Sequence, residues 1–185
     1  MKDIDLTPML RNKMKSYPRK PGRYNSSELF FILSGKTTPE KWLKPDERKM
    51  QDFFNMWSGI GIHAQVQELL NGRPYEEKKV EYSYKGIVLV GKADFLPPSR
   101  EKEVWEFKTS EKTMTRARDY HEHQVKLYCT MFEKEKGIVF QPVKDADGIY
   151  LKNLGEVHRS DKWFFGELDK LLLFHEKVLA ITNSK

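Results

Sequence analysis

Gly91-Lys92-Ala93-Asp94-Phe95-Leu96-Pro97-Pro98-Ser99-Arg100-Glu101-Lys102-Glu103-Val104-Trp105-Glu106-Phe107-Lys108 is the stretch on which the rest of the chain is organised. Its second half alternates. Because successive side chains on a strand point to opposite faces, Val104, Glu106 and Lys108 share one face and Trp105 and Phe107 the other. An acid and a base two residues apart therefore project the same way from a rigid element. Asp94 closes an apolar run that begins at Ile87 and also reads as a strand. If these two strands are neighbours, Asp94 and Glu106 converge with Lys108 beside them. Two carboxylates and an ammonium make a kit for a divalent cation and an activated water.

Around this stretch the pattern is α/β. The chain has 185 residues, the size of one domain with a genuine core, and its 38% apolar and 32% charged content describes a polar globular protein. No apolar run reaches membrane-spanning length, and Met1-Lys-Asp-Ile-Asp5 lacks the features of a signal peptide. Cys129 is the only cysteine, which excludes an internal disulfide and a cysteine-rich metal site. These features predict a cytoplasmic or nucleoid-associated protein that is not secreted and has no membrane partner. The net charge of +6 favours an anionic partner, with basic residues concentrated before Arg23 and again at Lys108, Lys112, Arg116 and Arg118.

Residues 1–25, with Pro18, Pro21 and Gly22, read as a basic arm, and residues 26–185 as a single domain. Ser26-Ser27 is expected to cap a short helix ending at Gly35, and Thr37 to Pro45 to form a connection that docks Trp42. A longer helix is expected from Asp46, with Met50, Phe53, Phe54 and Trp57 on its apolar face. Gly59 and Gly61 mark either a break in it or a close backbone approach. It continues through Val66, Leu69 and Leu70 to Asn71-Gly72. Lys79–Tyr84 and Ile87–Asp94 form a hairpin about Lys85-Gly86, and Lys102–Thr109 a third strand. Thr113 to about Lys134 is expected to be helical, ended by Gly137. Two strands around a turn at 145–147 follow, then a helix capped by Ser160 that turns Trp163, Phe164, Leu168, Leu171, Leu172 and Leu179 inward. The order predicts a central mixed β-sheet flanked by helices.

Other constellations carry less. His121-x-His123 falls on different sides of a helix and makes a poor metal pair. Asp145-Ala-Asp147-Gly lacks the later ligands of a calcium loop. Cys129 has no histidine partner for thiol catalysis, and no glycine-rich phosphate loop precedes a helix.

The ordered set of His63 in Gly-Ile-Gly-Ile-His-Ala, Asp94 in Gly-Lys-Ala-Asp, Glu106-Phe-Lys108, and Gln124-Val-Lys-Leu-Tyr128 resembles the P-D-(D/E)-x-K nuclease superfamily, in its RecB-like exonuclease branch. Each piece alone has an ordinary reading: an exposed edge pair, a turn aspartate, a helix histidine, an amphipathic helix face. The four together, in order and over roughly residues 26–135, are specific. The resemblance implies a restriction-endonuclease-like core and hydrolysis of DNA phosphodiesters with Mg²⁺ or Mn²⁺. It implies His63, Asp94, Glu106 and the main-chain carbonyl of Phe107 as metal ligands. Asp94, Glu106 and Lys108 are then the catalytic group, with Lys108 acting on the attacking water and the pentavalent phosphate. Gln124, Tyr128, Lys112, Arg116 and Arg118 are implied on the substrate side. Single-stranded DNA or DNA ends are the expected substrate. A structure- or sequence-specific endonuclease, or a nucleic-acid-binding module without turnover, are the competing readings. The resemblance also allows a homo-oligomer, or docking on a recombination, repair or replication protein. Relatives that carry four cysteines hold an iron–sulfur cluster; with Cys129 alone, none is expected here.

Overall fold

One antiparallel bridge ties the two halves of the sheet together. The Phe95 amide donates to the Trp105 carbonyl (3.1 Å) and the Trp105 amide returns a bond to the Phe95 carbonyl (2.9 Å). The computed structural model describes residues 19–44, 50–73, 75–110, 112–146 and 148–184, with the backbone alone for 50–57. In chain order the elements are β1 (Arg23–Asn25), α1 (Ser26–Leu33), α2 (Pro39–Leu43), α3 (Met50–Asn71), β2 (Lys78–Tyr84), β3 (Ile87–Ala93), β4 (Glu103–Phe107), α4 (Asp119–Met131), β5 (Lys136–Lys144), β6 (Ile149–His158) and α5 (Asp161–Asn183). Two three-stranded mixed sheets, ordered β1-β3-β2 and β4-β5-β6, meet at the bridge. β1 runs parallel to β3 and β4 parallel to β5; the other pairings are antiparallel. This is the expected α/β arrangement of a mixed sheet flanked by helices.

The alternation read from β4 decides what each face buries. Val104 belongs to the larger core, with Leu29 of α1, Val125, Leu127 and Tyr128 of α4, and Phe164, Leu168 and Leu171 of α5. Trp105 and Phe107 belong to the second core, with Phe95 and Ile138, closed by Val66 of α3 and by Tyr75. Helices thus cover both faces because β4 is apolar on both, with Glu106 as the exception. Among the described residues no helix is long and apolar enough to cross a membrane.

Several local expectations are corrected. Residues 23–25, read as part of the arm, form β1; the Val88 amide bonds to the Gly22 carbonyl at its start. The cap of α1 is Asn25, and Glu28 reaches back to the Asn25 amide (3.1 Å). Trp42 docks in the core as expected, but on a short helix in which Thr38 caps Lys41. The Asp46 cap and the side chains of Met50, Phe53, Phe54 and Trp57 lie outside the described residues. Gly59 does not break α3. A Cβ there would stand 2.8 Å from Thr109 Oγ1, so this glycine marks a close approach to the chain just after β4. Leu69 is 80% exposed and Gln67 takes the buried position next to it.

The helix expected from Thr113 starts only at Asp119. Residues before it are held in an extended course by the buried Gln141, whose side chain accepts from the Met114 amide (2.7 Å) and donates to the Lys112 carbonyl (3.0 Å). The Ala117 amide adds a bond to the Leu154 carbonyl (2.8 Å). At its other end α4 stops at Met131, with Glu133 in the left-handed region (φ 56°). Gly137 lies inside β5. Ser160 caps α5 as expected, but Leu179 is exposed while Phe174 and Val178 are buried.

Gly137 sets how closely α4 lies on the sheet. A Cβ built on it would fall 2.8 Å from Val125 Cγ2 and 3.0 Å from Cys129 Sγ. Both neighbours are fully buried and the Val125 carbonyl is 3.1 Å away, so the helix has nowhere to retreat. Gly137→Val is expected to cost about 1–3 kcal/mol through overpacking, read from urea denaturation. An unchanged midpoint would show that α4 can shift off β5.

Candidate active site

The bridge between Phe95 and Trp105 explains how two acids from separate segments meet. In antiparallel pairing the residues flanking a bridged pair oppose one another, so Asp94 stands across from Glu106 on the face opposite Phe95 and Trp105. Asp94 is anchored rather than free. Its Oδ2 accepts from the Phe107 amide (2.7 Å), and its carbonyl accepts from Gln67 Nε2 of α3 (2.5 Å). His63, also on α3, brings Nδ1 to 3.6 Å from Asp94 Oδ1. Its ring meets that of Phe107 edge-on at 5.9 Å.

Glu106 is 3% exposed, and Lys108 Nζ lies 2.6 Å from its Oε1. Lys108 also donates to Gln124 Oε1 (3.1 Å), Gln124 Nε2 donates to Tyr128 Oη (2.8 Å), and Ser26 Oγ donates to the same hydroxyl (3.2 Å). A continuous chain of hydrogen bonds therefore runs from α1 through α4 to the acid. Burial pushes the Glu106 carboxyl well above the ordinary carboxylate range, and the Asp94 charge adds to that, against the pull of Lys108. For Lys108 burial acts downward, but the two carboxylates outweigh it and raise its pKa, so the ammonium stays charged. His63 follows the same balance: burial lowers it, and Asp94 and Glu106 raise it further. A buried carboxylate whose charge is under-compensated by one lysine is a natural partner for an added cation.

The donor chemistry fits a hard divalent ion. Glu106 Oε2 and His63 Nε2 are buried polar atoms with no protein partner, an arrangement that costs free energy unless something else binds there. Carboxylate oxygens suit Mg²⁺, and an added imidazole is better tolerated by Mn²⁺. As they stand, no three His, Cys, Asp or Glu side chains among the described residues are drawn into one ligand-ready cluster.

The structure brings His63, Asp94, Glu106, Lys108 and Gln124 together. It does not put Tyr128 on the substrate side. That residue is 2% exposed, its hydroxyl is used by Gln124 and Ser26, and burial raises its pKa. Tyr128 is joined to Lys108 only by way of Gln124. Lys112, Arg116 and Arg118 are exposed, but on the loop before α4 rather than on the helix. His121 and His123 are committed elsewhere. His121 Nδ1 accepts from the Arg118 amide (3.3 Å) and burial, with Lys108 and Arg118 nearby, holds its pKa down at about 4. His123 Nε2 pairs with Glu167 of α5 (2.8 Å). Cys129 is buried and its thiol is pushed up to about 12 by that burial. Ser26, expected only as part of a helix cap, and Gln67, not singled out in the sequence, are joined to the site by their hydrogen bonds. A lone serine at a helix start and a glutamine on a polar helix carry no signal until the sheet places them.

No protein-family model matches the chain, and no curated protein matches it in sequence. Solved structures do match. A phage-related exonuclease from Haemophilus somnus 129PT is 11% identical with a TM-score of 0.55, over 95% of this chain and 100% of that one. LHK-Exo, an alkaline exonuclease from Laribacter hongkongensis, is 11% identical with a TM-score of 0.57, over 89% of this chain and 91% of that one. The same protein in complex with dAMP gives a TM-score of 0.59. The likeness is one of fold: this chain has the architecture of these exonucleases.

Replacing Tyr128 by Phe removes the hydroxyl that Gln124 and Ser26 share and leaves two buried polar groups without a partner. Tyr128→Phe is expected to lower stability by about 1–3 kcal/mol, measured by chemical denaturation. A midpoint equal to that of the wild type would mean that the network contributes nothing to holding α1 against α4.

Proposed function

We propose that this chain is a metal-dependent nuclease that hydrolyses DNA phosphodiester bonds, acting as an exonuclease on single strands or DNA ends. The observation that carries the reading is the pairing of Asp94 with Glu106 across the strand bridge, with the Lys108 ammonium 2.6 Å from Glu106, on a fold shared with exonucleases. The dAMP complex belongs to the neighbour; a deoxynucleotide there is in keeping with a DNA substrate here.

In this reading His63, Asp94, Glu106 and the Phe107 carbonyl hold Mg²⁺ or Mn²⁺. When bound, the ion lowers the pKa of a coordinated water and shields the charge of the phosphate. The residues of the chain do the rest. The Phe107 amide and Gln67 keep Asp94 in place, so its carboxylate does not reorganise as charge develops. Lys108, kept charged by its neighbours, donates hydrogen bonds: it orients the attacking water and stabilises the extra negative charge on the pentavalent phosphate. Gln124, aligned by Tyr128, keeps the ammonium directed at the site. Arg116 and Arg118, with Lys112 further out, meet the backbone of the bound strand.

End-labelled linear and circular single-stranded DNA, incubated with Mg²⁺, Mn²⁺ or EDTA, test this with wild type and Lys108→Ala side by side. The wild type is expected to degrade the linear strand only, and only with metal. Lys108→Ala is expected to lose at least about a hundredfold in rate, the scale for removing one donor to a developing charge, and still to bind DNA under conditions in which circular dichroism shows it folded. A variant as fast as wild type would sink the role given to Lys108. Cleavage of the circle would move the assignment to an endonuclease, and binding without product to a module that only grips nucleic acid.

A further inference from the structure

Between α1 and the start of α4 lies a cleft of about 520 Å³, within the range that small ligands occupy. It is lined by Phe30, Lys36 and residues 113–120. Three cations, Lys36, Arg116 and Arg118, face a single carboxylate, Asp119. Its aromatic walls are Phe30 and Tyr120, both half-buried, with ring centroids 6.3 Å apart and planes inclined by 50°. Phe31 backs Tyr120 at 5.4 Å and His123 backs Phe30 at 5.6 Å, so neither ring is free to swing away. Cations lie by both rings: Lys36 Nζ is 5.4 Å from the Phe30 centroid and the Arg118 guanidinium 6.0 Å from that of Tyr120.

The cleft is built in advance. Gln141, 2% exposed, holds the loop by both atoms of its amide, and Leu154 holds it again at Ala117. Its distance from the reacting groups is set by α4: Tyr120 stands one turn before Gln124, whose Oε1 touches Lys108. Aromatic rings flanked by cations, one helical turn from the glutamine that touches Lys108, match a nucleotide. The rings offer a surface to any base, and the guanidinium groups pair with phosphate oxygens. The base must be unpaired, because in a duplex its faces are covered by stacking.

We propose that this cleft takes one unpaired nucleotide of the bound strand, its base laid against the Phe30–Tyr120 ring pair and its flanking phosphates on Arg116 and Arg118. The proposal rests on the nuclease reading for its substrate, and it adds that the enzyme selects a single strand by gripping bases and not only by charge. Neither ring belongs to the four motifs, and the two come from different helices.

Fluorescence polarisation in EDTA separates the terms, using labelled oligothymidylate and an abasic oligomer of the same length and charge. Wild type is expected to bind the base-bearing strand about five- to a hundredfold more tightly, the range for one base held against aromatic rings. Tyr120→Leu and Phe30→Leu, each checked for folding by circular dichroism, are expected to erode that ratio, while Tyr120→Phe keeps it. Arg116→Ala is expected to weaken both oligomers alike and leave the ratio unchanged. Equal binding of the two oligomers by wild type, or a ratio that survives both leucine variants, overturns the stacking site. The nuclease reading is judged apart from this: metal-dependent degradation by a protein with no base preference defeats the cleft alone, and base preference without any degradation defeats the nuclease alone.

Discussion

The contact on which the molecule depends is the buried pair between Lys108 and Glu106, at 2.6 Å, opposite Asp94. Placing two carboxylates across one strand bridge is unfavourable by itself, since each raises the free energy of ionising the other. One ammonium offsets part of that repulsion. Removing a partner from a buried pair leaves a charge stranded, which costs far more than an exposed ion pair gains. The surrounding structure serves this arrangement. α3 supplies Gln67 and His63 to Asp94, α4 supplies Gln124 to Lys108, and α1 supplies Ser26 to the tyrosine behind them.

That architecture explains why the helices lie as closely as they do. The hydrogen-bond chain from Ser26 through Tyr128 and Gln124 to Lys108 joins α1, α4 and the end of β4, and each link is a single hydrogen bond with no duplicate. Bonds of this length do not tolerate a displaced helix. Small residues at the contacts, Gly137 beneath α4 and Gly59 of α3 against Thr109, keep the elements within reach. His123 and Glu167 add a hydrogen bond (2.8 Å) between α4 and α5 on the far side, so α4 is held from both the sheet and the helix layer.

Much of this was legible in the sequence because it follows from short periods. Alternation over Val104–Lys108 placed Glu106 and Lys108 on one face, and the apolar run ending at Asp94 marked the neighbouring strand. The spacing of Gln124 and Tyr128 put both on one side of a helix. What escaped depended on partners far away in the chain. The segment 112–118 has no local feature that forbids a helix; Gln141 and Leu154 draw it out into a loop. Tyr128 looks like an exposed motif residue until α1 covers it. β1 is three residues long and exists because β3 offers it an edge. The aromatic cleft is assembled from α1 and the start of α4, so no window of sequence contains it.

Whether the Asp94–Glu106 pair holds a divalent cation, as proposed, is read by calorimetric titration of Mn²⁺ into wild type and Glu106→Gln. The exchange keeps the shape of the side chain and removes its charge. Wild type is expected to bind saturably, and the variant at least about tenfold more weakly. Equal affinity in the two proteins, or no saturable binding by wild type, would contradict the proposal and leave Glu106 and Asp94 as parts of the scaffold.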